Sequence, residues 1–105
     1  MVETTKSTEE ELDFDESIEV DEPKKFKVLL HNDDYTTMEF VVLVLEDVFN
    51  KTSSEAQDIM LKVHNEGVGI CGIYCFEVAE TKVKKVEVLA SKEGHPLKIT
   101  VEEEE

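Results

Sequence analysis

Charge is distributed unevenly along this chain, and the distribution limits how much of it can fold. The formal net charge of the 105 residues is −15. Residues 1–22 carry ten carboxylates and one lysine, whereas residues 23–101 carry 12 carboxylates and ten lysines, a net charge of only −2. Acidic segments with few aromatic side chains bury too little apolar surface to offset the entropy of ordering. We therefore expect one small domain over residues 24–101, a disordered acidic N-terminal extension over residues 1–23 and an acidic tail over residues 102–105.

The same composition excludes several classes of protein. All basic residues are lysines, and no basic stripe opposes the acidic ends, so nucleic acid is not an expected partner. The sequence contains no apolar run of about 18 residues and no basic segment followed by an apolar core, so we expect neither a membrane span nor a secretory signal. A cytoplasmic location is the resulting expectation.

Hydrophobic periodicity predicts the first three secondary structure elements. Residues 25–31 place Phe26, Val28 and Leu30 on one face with a period of two, which is typical of a half-buried strand. Thr36 and Glu39 have capping-box spacing, which predicts the start of a helix. Thr52 and Glu55 repeat this spacing and predict a second helix. The expected inner faces of the two helices are formed by Met38, Val41, Val42, Leu45, Val48 and Phe49 and by Ala56, Ile59, Met60 and Val63.

The second half of the sequence predicts a strand, a helix and a strand. Residues 68–78 are rich in aromatic and β-branched side chains and read as a strand that follows the helix stop at Gly67. A third helix places Ala79, Val83, Val86 and Ala90 on one face, and Gly94 lies beyond its end. Residues 95–101 close the domain as a third strand. The order β-α-α-β-α-β predicts a single small α+β domain with a three-stranded antiparallel sheet packed against the helices.

Cys71 and Cys75 are candidate reactive residues, but their spacing argues against a shared site. Four residues along a strand separate their Cα atoms by roughly 13 Å, which is beyond the reach of a disulfide. The C-x-x-x-C spacing is also not typical of zinc, and only His64 and His95 are available to complete such a site. We expect both thiols to be reduced and buried as small apolar groups.

The polar turn at Asn32, Asp33 and Asp34 has an ordinary interpretation as a strand-to-helix connection. A catalytic or metal site that uses Asp33 with His64 is the alternative, but the sequence specifies neither a nucleophile nor a third ligand. We therefore expect no enzyme activity, cofactor or metal. If the second helix packs beside the first, Asn32, Asp33 and His64 come to the rim of an apolar hollow. The expected lining of that hollow is Met38, Val41, Met60 and Val63.

Four motifs in order give the chain a resemblance to a known family. Residues 32–41 (NDDYTTMEFV) closely resemble the NDDYTPMEFV signature of the ClpS adaptors. Residues 60–67 (MLKVHNEG) resemble their second-helix motif, residues 72–82 (GIYCFEVAETK) resemble their G-x-x-x-x-E-x-A-E-T-K segment, and residues 95–97 resemble their closing H-P-L. The similarity runs over residues 25–100 without an evident insertion.

The resemblance implies a substrate-recognition adaptor that is not an enzyme. ClpS proteins bind N-degron proteins, whose first residue is bulky and hydrophobic (Leu, Phe, Tyr or Trp), and pass them to a Clp AAA+ unfoldase and the ClpP peptidase. By similarity, Asn32, Asp33 and His64 hold the α-ammonium group of the substrate. Asp34 then lies near the ligand backbone, and Met38 crowds the pocket mouth against β-branched first residues. The implied hydrophobic pocket consists of Thr36, Met38, Val41, Met60, Val63 and Leu97.

The resemblance also implies a protein partner, the N-terminal domain of a ClpA-type or ClpC-type unfoldase. Tyr35, Glu77 and Lys82 match residues that contact this domain, although an exposed aromatic residue and a solvated charge pair are the ordinary interpretation. Thr37 departs from the family's usual proline, and we expect a small loss of stability with intact binding. We expect a monomer.

Two points stay open on the residues alone. The N-terminal extension is favoured to be a solubilising tail, but its few apolar residues also allow a weak docking segment; these are Leu12, Phe14, Ile18 and Val20. The family resemblance adds a third role, since in the family this extension is engaged by the unfoldase. The alternative function is a small acidic protein-interaction domain that resembles the C-terminal domain of ribosomal protein L7/L12, which would have no pocket for an N-terminus.

Overall fold

The structure is a computed structural model, and it describes residues 23–104. The predicted disorder of the extension therefore lies outside the described residues except at Pro23. Three strands and three helices follow in the predicted order β-α-α-β-α-β; they are β1 (Phe26–His31), α1 (Met38–Asp47), α2 (Ser53–Glu66), β2 (Val68–Tyr74), α3 (Phe76–Glu93) and β3 (Lys98–Glu103). No helix among these residues is long and apolar enough to cross a membrane.

The strands form one three-stranded antiparallel sheet, as predicted, and their order in the sheet is β2-β1-β3. β1 lies in the centre, where Val28 and Leu30 are fully buried against the helices. Leu29 points to the opposite face because side chains alternate along a strand, and it is 9% exposed. The register between β1 and β2 shifts after Val28, which leaves Cys71 as an extra, fully buried residue in β2.

The helices pack on one face of this sheet and enclose the core with it. The buried core side chains on the helices are Phe40, Val41, Val44 and Leu45 from α1, Ala56, Met60 and Val63 from α2, and Ala79, Val86 and Ala90 from α3. This arrangement confirms the predicted α+β class. The inner faces follow the helical period found in the sequence, except that Met38 is 45% exposed and Val42, Ile59 and Val83 are half-buried.

Local capping confirms the predicted second helix. The Thr52 backbone N–H donates to the Glu55 carboxylate over 2.9 Å, and the Glu55 N–H donates to the Thr52 hydroxyl over 3.1 Å. These reciprocal bonds form the capping box. Gly67 ends the helix in the left-handed region at φ 92°, where a side chain would be strained.

The predicted cap of the first helix is wrong by one residue. Thr37 is the N-cap of α1, and its hydroxyl accepts from the Phe40 N–H over 3.1 Å. The Thr36 hydroxyl instead faces the Asp33 carboxylate, to which it donates over 2.7 Å. Thr37 therefore precedes the first helical turn, and it supplies a capping bond that the family's proline cannot make.

Two boundaries also differ from the sequence prediction. β2 ends at Tyr74, and Cys75 is the N-cap of α3, so residues 76–78 form the first helical turn rather than strand. Aromatic and β-branched composition did not distinguish strand from helix here. Phe76 lies in the helix with 47% of its surface exposed, so its apolar side chain did not mark a buried strand position. Cys75 is consequently exposed, which corrects its predicted burial, whereas the predicted burial of Cys71 is confirmed; both thiols are free.

The third strand begins later and ends later than predicted. β3 covers Lys98–Glu103 rather than residues 95–101, since Pro96 has no N–H for the ladder. Glu102 pairs with Lys27 and Glu103 pairs with Phe26. Two of the four glutamates assigned to a tail therefore extend the edge strand.

Candidate functional site

A small hollow lies between the turn that follows β1 and the last turns of α2. Its volume is about 270 Å³. It is lined by nine residues, all of which were predicted to belong to the site: Asn32, Asp33, Asp34, Thr36, Met38, Val41, Met60, Val63 and His64. Polar groups of the turn and of His64 meet apolar side chains from both helices in this one place.

One backbone hydrogen bond fixes the two walls of the hollow relative to each other. The Asn32 N–H donates to the Gly67 carbonyl oxygen over 2.9 Å. This bond joins the end of β1 to the C-cap of α2, three residues beyond His64. The distance between the polar turn and the histidine is therefore set by the fold and not by a flexible loop.

The Asp33 carboxylate is held by three donors from its own turn. Its Oδ1 accepts from the Tyr35 N–H over 2.8 Å and from the Thr36 N–H over 2.7 Å. Its Oδ2 accepts from the Thr36 hydroxyl over 2.7 Å. These bonds orient the carboxylate toward a single geometry, so Thr36 positions Asp33 in addition to lining the hollow.

The same contacts keep Asp33 ionised. Burial acts to raise the pKa of Asp33, but the hydrogen bonds from Thr36 and Tyr35, together with the charge of nearby His95, outweigh it and lower the pKa below its ordinary value. The hollow therefore carries a fixed negative charge at its rim at neutral pH.

The wall contributed by α2 combines an apolar base with an exposed imidazole. Met60 and Val63 are 8% and 2% exposed, whereas His64 lies exposed at the rim. The backbone of β2 at Gly69 packs closely against Val63. A Cβ atom on Gly69 would lie only 2.8 Å from the Cγ2 atom of Val63. A glycine at this position lets the strand approach the helix closely.

Leu97 does not join the other predicted pocket residues. It lies one residue before β3, is 9% exposed and packs in the core cluster, and it is not among the residues that line the hollow. Core packing and pocket lining call for the same kind of side chain, and the sequence does not separate them.

The three residues matched to unfoldase contact differ in their surroundings. Tyr35 is 78% exposed, and Glu77 is exposed in the first turn of α3. Lys82 is half-buried; its Nζ atom donates to the Val48 carbonyl over 2.7 Å and lies 5.2 Å from the ring centroid of Tyr74. The Lys82 ammonium group therefore links α3 to the end of α1 and is not one half of a solvated pair with Glu77.

His95 was missed as a site residue. Its ring packs against Phe40 at a tilt of 37°, with ring centroids 4.4 Å apart. Its charge contributes to lowering the pKa of Asp33. In the sequence, His95 stood out only as part of the H-P-L motif. That motif does not indicate that His95 lies near the turn that contains Asp33.

The site is suited to a cation that carries an apolar group. Amide, carboxylate and imidazole acceptors surround the rim, and the base is apolar. Within residues 23–104, no group of three His, Cys, Asp or Glu side chains is placed to hold a metal ion. The fold and site thus define a small α+β domain with an acceptor-rimmed hollow.

Comparison with known proteins identifies the family. A family model described as ATP-dependent Clp protease adaptor protein ClpS matches residues 21–100. An ATP-dependent Clp protease adapter protein ClpS of Nitratidesulfovibrio vulgaris (strain DSM 19637 / Miyazaki F) is 62% identical over 85 residues, covering 81% of this chain and 85% of the relative. Another, of Oleidesulfovibrio alaskensis, is 54% identical over 97 residues, covering 92% and 93%. The chain belongs to the ClpS family.

A solved structure agrees with this assignment. Agrobacterium tumefaciens ClpS2 bound to L-phenylalaninamide superimposes with a TM-score of 0.76 and 38% sequence identity, covering 79% of this chain and all of that one. The resemblance drawn from the sequence motifs is thereby confirmed, as is the fold expected from it.

Proposed function

We propose that this chain recognises proteins by a bulky hydrophobic first residue (Leu, Phe, Tyr or Trp) and delivers them to a Clp AAA+ unfoldase and ClpP for degradation. One observation carries the proposal, namely the acceptors of Asn32, Asp33 and His64 around an apolar hollow. The ligand of the Agrobacterium relative supports it, because L-phenylalaninamide combines a free amino group with an apolar side chain.

The chemistry of a protein N-terminus matches this hollow. An α-ammonium group has three N–H donors and no acceptor. Three acceptors of different kinds are available for it: the amide oxygen of Asn32, the carboxylate of Asp33 and a ring nitrogen of His64. The adjoining first side chain enters the apolar part, and Asp34 lies beside the ligand backbone.

Elementary magnitudes make the proposed binding strong enough for an adaptor. Burial of a Leu or Phe side chain contributes about 1.5–3 kcal/mol, and each hydrogen bond to a charged group contributes about 1.5–3 kcal/mol. After the costs of association, affinities on the order of micromolar, about −8 kcal/mol, are reached. The volume of about 270 Å³ lies below that of typical drug-sized sites, which suits one side chain.

Selectivity follows from Met38 at the mouth of the hollow. Met38 lines the hollow and is 45% exposed, so it narrows the entrance against side chains that branch at Cβ. We expect peptides that begin with Leu or Phe to bind at least tenfold more tightly than peptides that begin with Val or Ile. Met38→Ala should reduce this preference, and a titration series with fluorescent peptides measures it. An unchanged preference in Met38→Ala would remove Met38 from the selectivity mechanism.

Delivery requires a second surface, and the unfoldase N-terminal domain of ClpA or ClpC type is the proposed partner. Tyr35 and Glu77 offer exposed groups for this contact, whereas Lys82 contributes by holding α3 in place. The chain should act as a monomer. A degradation assay tests this step: a reporter that begins with Phe should be degraded by unfoldase and ClpP only when the chain is added. A control reporter with Met before the Phe should persist.

The alternative of a domain like that of ribosomal protein L7/L12 is not favoured, because the chain belongs to the ClpS family. The relatives are named as adapter proteins, and no observation in residues 23–104 favours an enzyme.

A further inference from the structure

A second and larger depression lies along α3. Its volume is about 960 Å³, and it shares no lining residue with the hollow described above. Its base is apolar and includes Val48, Val83 and Val101, while Phe76 and Val88 flank it at 47% and 57% exposure. We call this depression the α3 groove. Exposed apolar side chains of this size in one groove are a common sign of a docking surface.

The chain enters the described fold beside the α3 groove. Phe26, at the start of β1, packs edge-on against Phe76 of the groove with ring centroids 5.1 Å apart. Lys24 pairs with Glu103 over 3.4 Å, and the Glu104 N–H donates to the Lys25 carbonyl over 2.8 Å. The segment before Pro23 is thus joined to the fold three residues before Phe26, which packs against a groove residue.

The sequence of that preceding segment has the pattern of a strand with one apolar face. Leu12, Phe14, Ile18 and Val20 are all at even positions and alternate mostly with carboxylates. In extended form, Phe14 to Val20 spans about 20 Å. Along α3, Phe76 to Val88 spans about 18 Å. The apolar part of the segment therefore has the length of the groove, and the five residues between Val20 and Phe26, which make six Cα–Cα steps, reach about 20 Å back to it.

We propose that residues 12–20 of this chain dock in the α3 groove in extended form, with their apolar side chains turned into it. The tether favours this occupant over a free partner, because a short linker raises the effective concentration to the order of millimolar. A weak contact then suffices. The proposal does not depend on the proposed recognition of N-termini, since the two depressions have no residue in common.

The charges of the segment and of the groove are complementary at one position, Glu16. Elsewhere charge does not drive the docking. The groove is lined by two lysines, Lys84 and Lys85, and by three carboxylates, on Asp47, Glu80 and Glu87. Glu16 is the single polar even position between the two apolar pairs, and it would face the lysines. Apolar contact provides the main contribution, so docking should survive moderate salt.

Nuclear magnetic resonance of the full chain tests the proposal. We expect cross-peaks between the Phe14 ring or Ile18 methyl groups and the methyl groups of Val83, Val88 or Val101. Val88→Ser should abolish these cross-peaks and shift the amide signals of residues 12–20. Val78→Ser is the matched control, because Val78 is a 41% exposed valine on the same helix that does not line the groove; it should leave both unchanged.

Several results would overturn the docking. Absence of the cross-peaks in the wild-type chain, or identical amide signals for residues 12–20 in wild type and Val88→Ser, would show that the segment does not occupy the groove. Cross-peaks found only between differently labelled chains in a mixed sample would assign the groove to a second copy instead. Binding of a peptide that begins with Leu should be the same in wild type and Val88→Ser, which separates this test from that of the proposed function.

Discussion

Asp33→Asn is the substitution that isolates the charge in the hollow with the least change of shape. The amide keeps one oxygen for the N–H groups of Tyr35 and Thr36, which now reach Oδ1 over 2.8 and 2.7 Å. The Thr36 hydroxyl, now a donor to Oδ2 over 2.7 Å, can rotate and accept from the new NH₂ group. The turn is therefore expected to persist, while the negative charge opposite the ligand ammonium is lost.

The expected loss of affinity follows from the loss of an acceptor. Oδ1 of Asp33 already accepts two backbone N–H groups, so Oδ2 is the oxygen left for the ammonium group, and the NH₂ group that replaces it in the variant cannot accept. The loss of one hydrogen bond to a charged group, about 1.5–3 kcal/mol, corresponds to an about 10- to 150-fold weaker Kd. Asp33 is half-buried, so solvent screening favours the lower end of this range.

Isothermal titration with a peptide that begins with Leu, at pH 7.5, measures this effect. Asp58→Asn is the control, since it makes the same chemical change at an exposed position of α2 outside the hollow. Equal affinities for wild type and Asp33→Asn, or equal losses in the two variants, would refute a local contact between Asp33 and the ammonium group.

Asp33 also links stability to pH. Its folded-state pKa is lowered, so the ionised carboxylate stabilises the fold above the unfolded-state pKa, and this stabilisation is lost as the pH falls through the folded-state value. Asp33→Asn should flatten this part of an acid-unfolding curve, which circular dichroism follows.

Three further predictions concern the histidine, a glycine and the thiols. His64→Ala should weaken binding of a Leu peptide about tenfold at pH 7.5, because one of the three acceptors for the ammonium group is lost; isothermal titration checks this, and an affinity equal to that of the wild type would contradict it. Gly69→Ala should cost about 1–3 kcal/mol of unfolding free energy and weaken peptide binding, since the new Cβ atom meets Val63 at 2.8 Å; chemical denaturation measures the first effect. Burial raises the pKa of the Cys71 thiol to about 12. Iodoacetamide at pH 8 should therefore add one label to the native protein, on exposed Cys75, and two labels to the protein in denaturant. Two labels on the native protein would contradict the burial of Cys71.

The accuracy of the sequence prediction depended on whether neighbouring residues compete for the same role. The capping box of Thr52 and Glu55 was predictable because both partners lie within one helical turn and no adjacent residue offers the same spacing. The cap of α1 was wrong by one residue, because Thr36 and Thr37 are adjacent and the sequence does not show that the Thr36 hydroxyl faces Asp33. The order of elements and the fold class followed from periodicity, whereas the boundary near Cys75 did not, since helix and strand accept the same side chains there.

Contacts between residues distant in sequence limited how much of the site could be predicted. Periodicity placed His64 on α2, but only the bond from the Asn32 N–H to the Gly67 carbonyl brings that helix end to the turn. The family motifs supplied this proximity without its physical cause. They did not indicate that the Lys82 ammonium group is satisfied by the Val48 carbonyl, because such a contact depends on how α1 and α3 end.

The central claim is that the hollow recognises an α-ammonium group together with the first side chain. Binding of one peptide that begins with Leu, compared with its N-acetylated form, tests it most directly. Acetylation removes the charge and two of the three donors. With about 1.5–3 kcal/mol for each lost charge-assisted bond, we predict that the acetylated peptide binds more than about a hundredfold more weakly. Equal affinity for the two peptides would contradict the account.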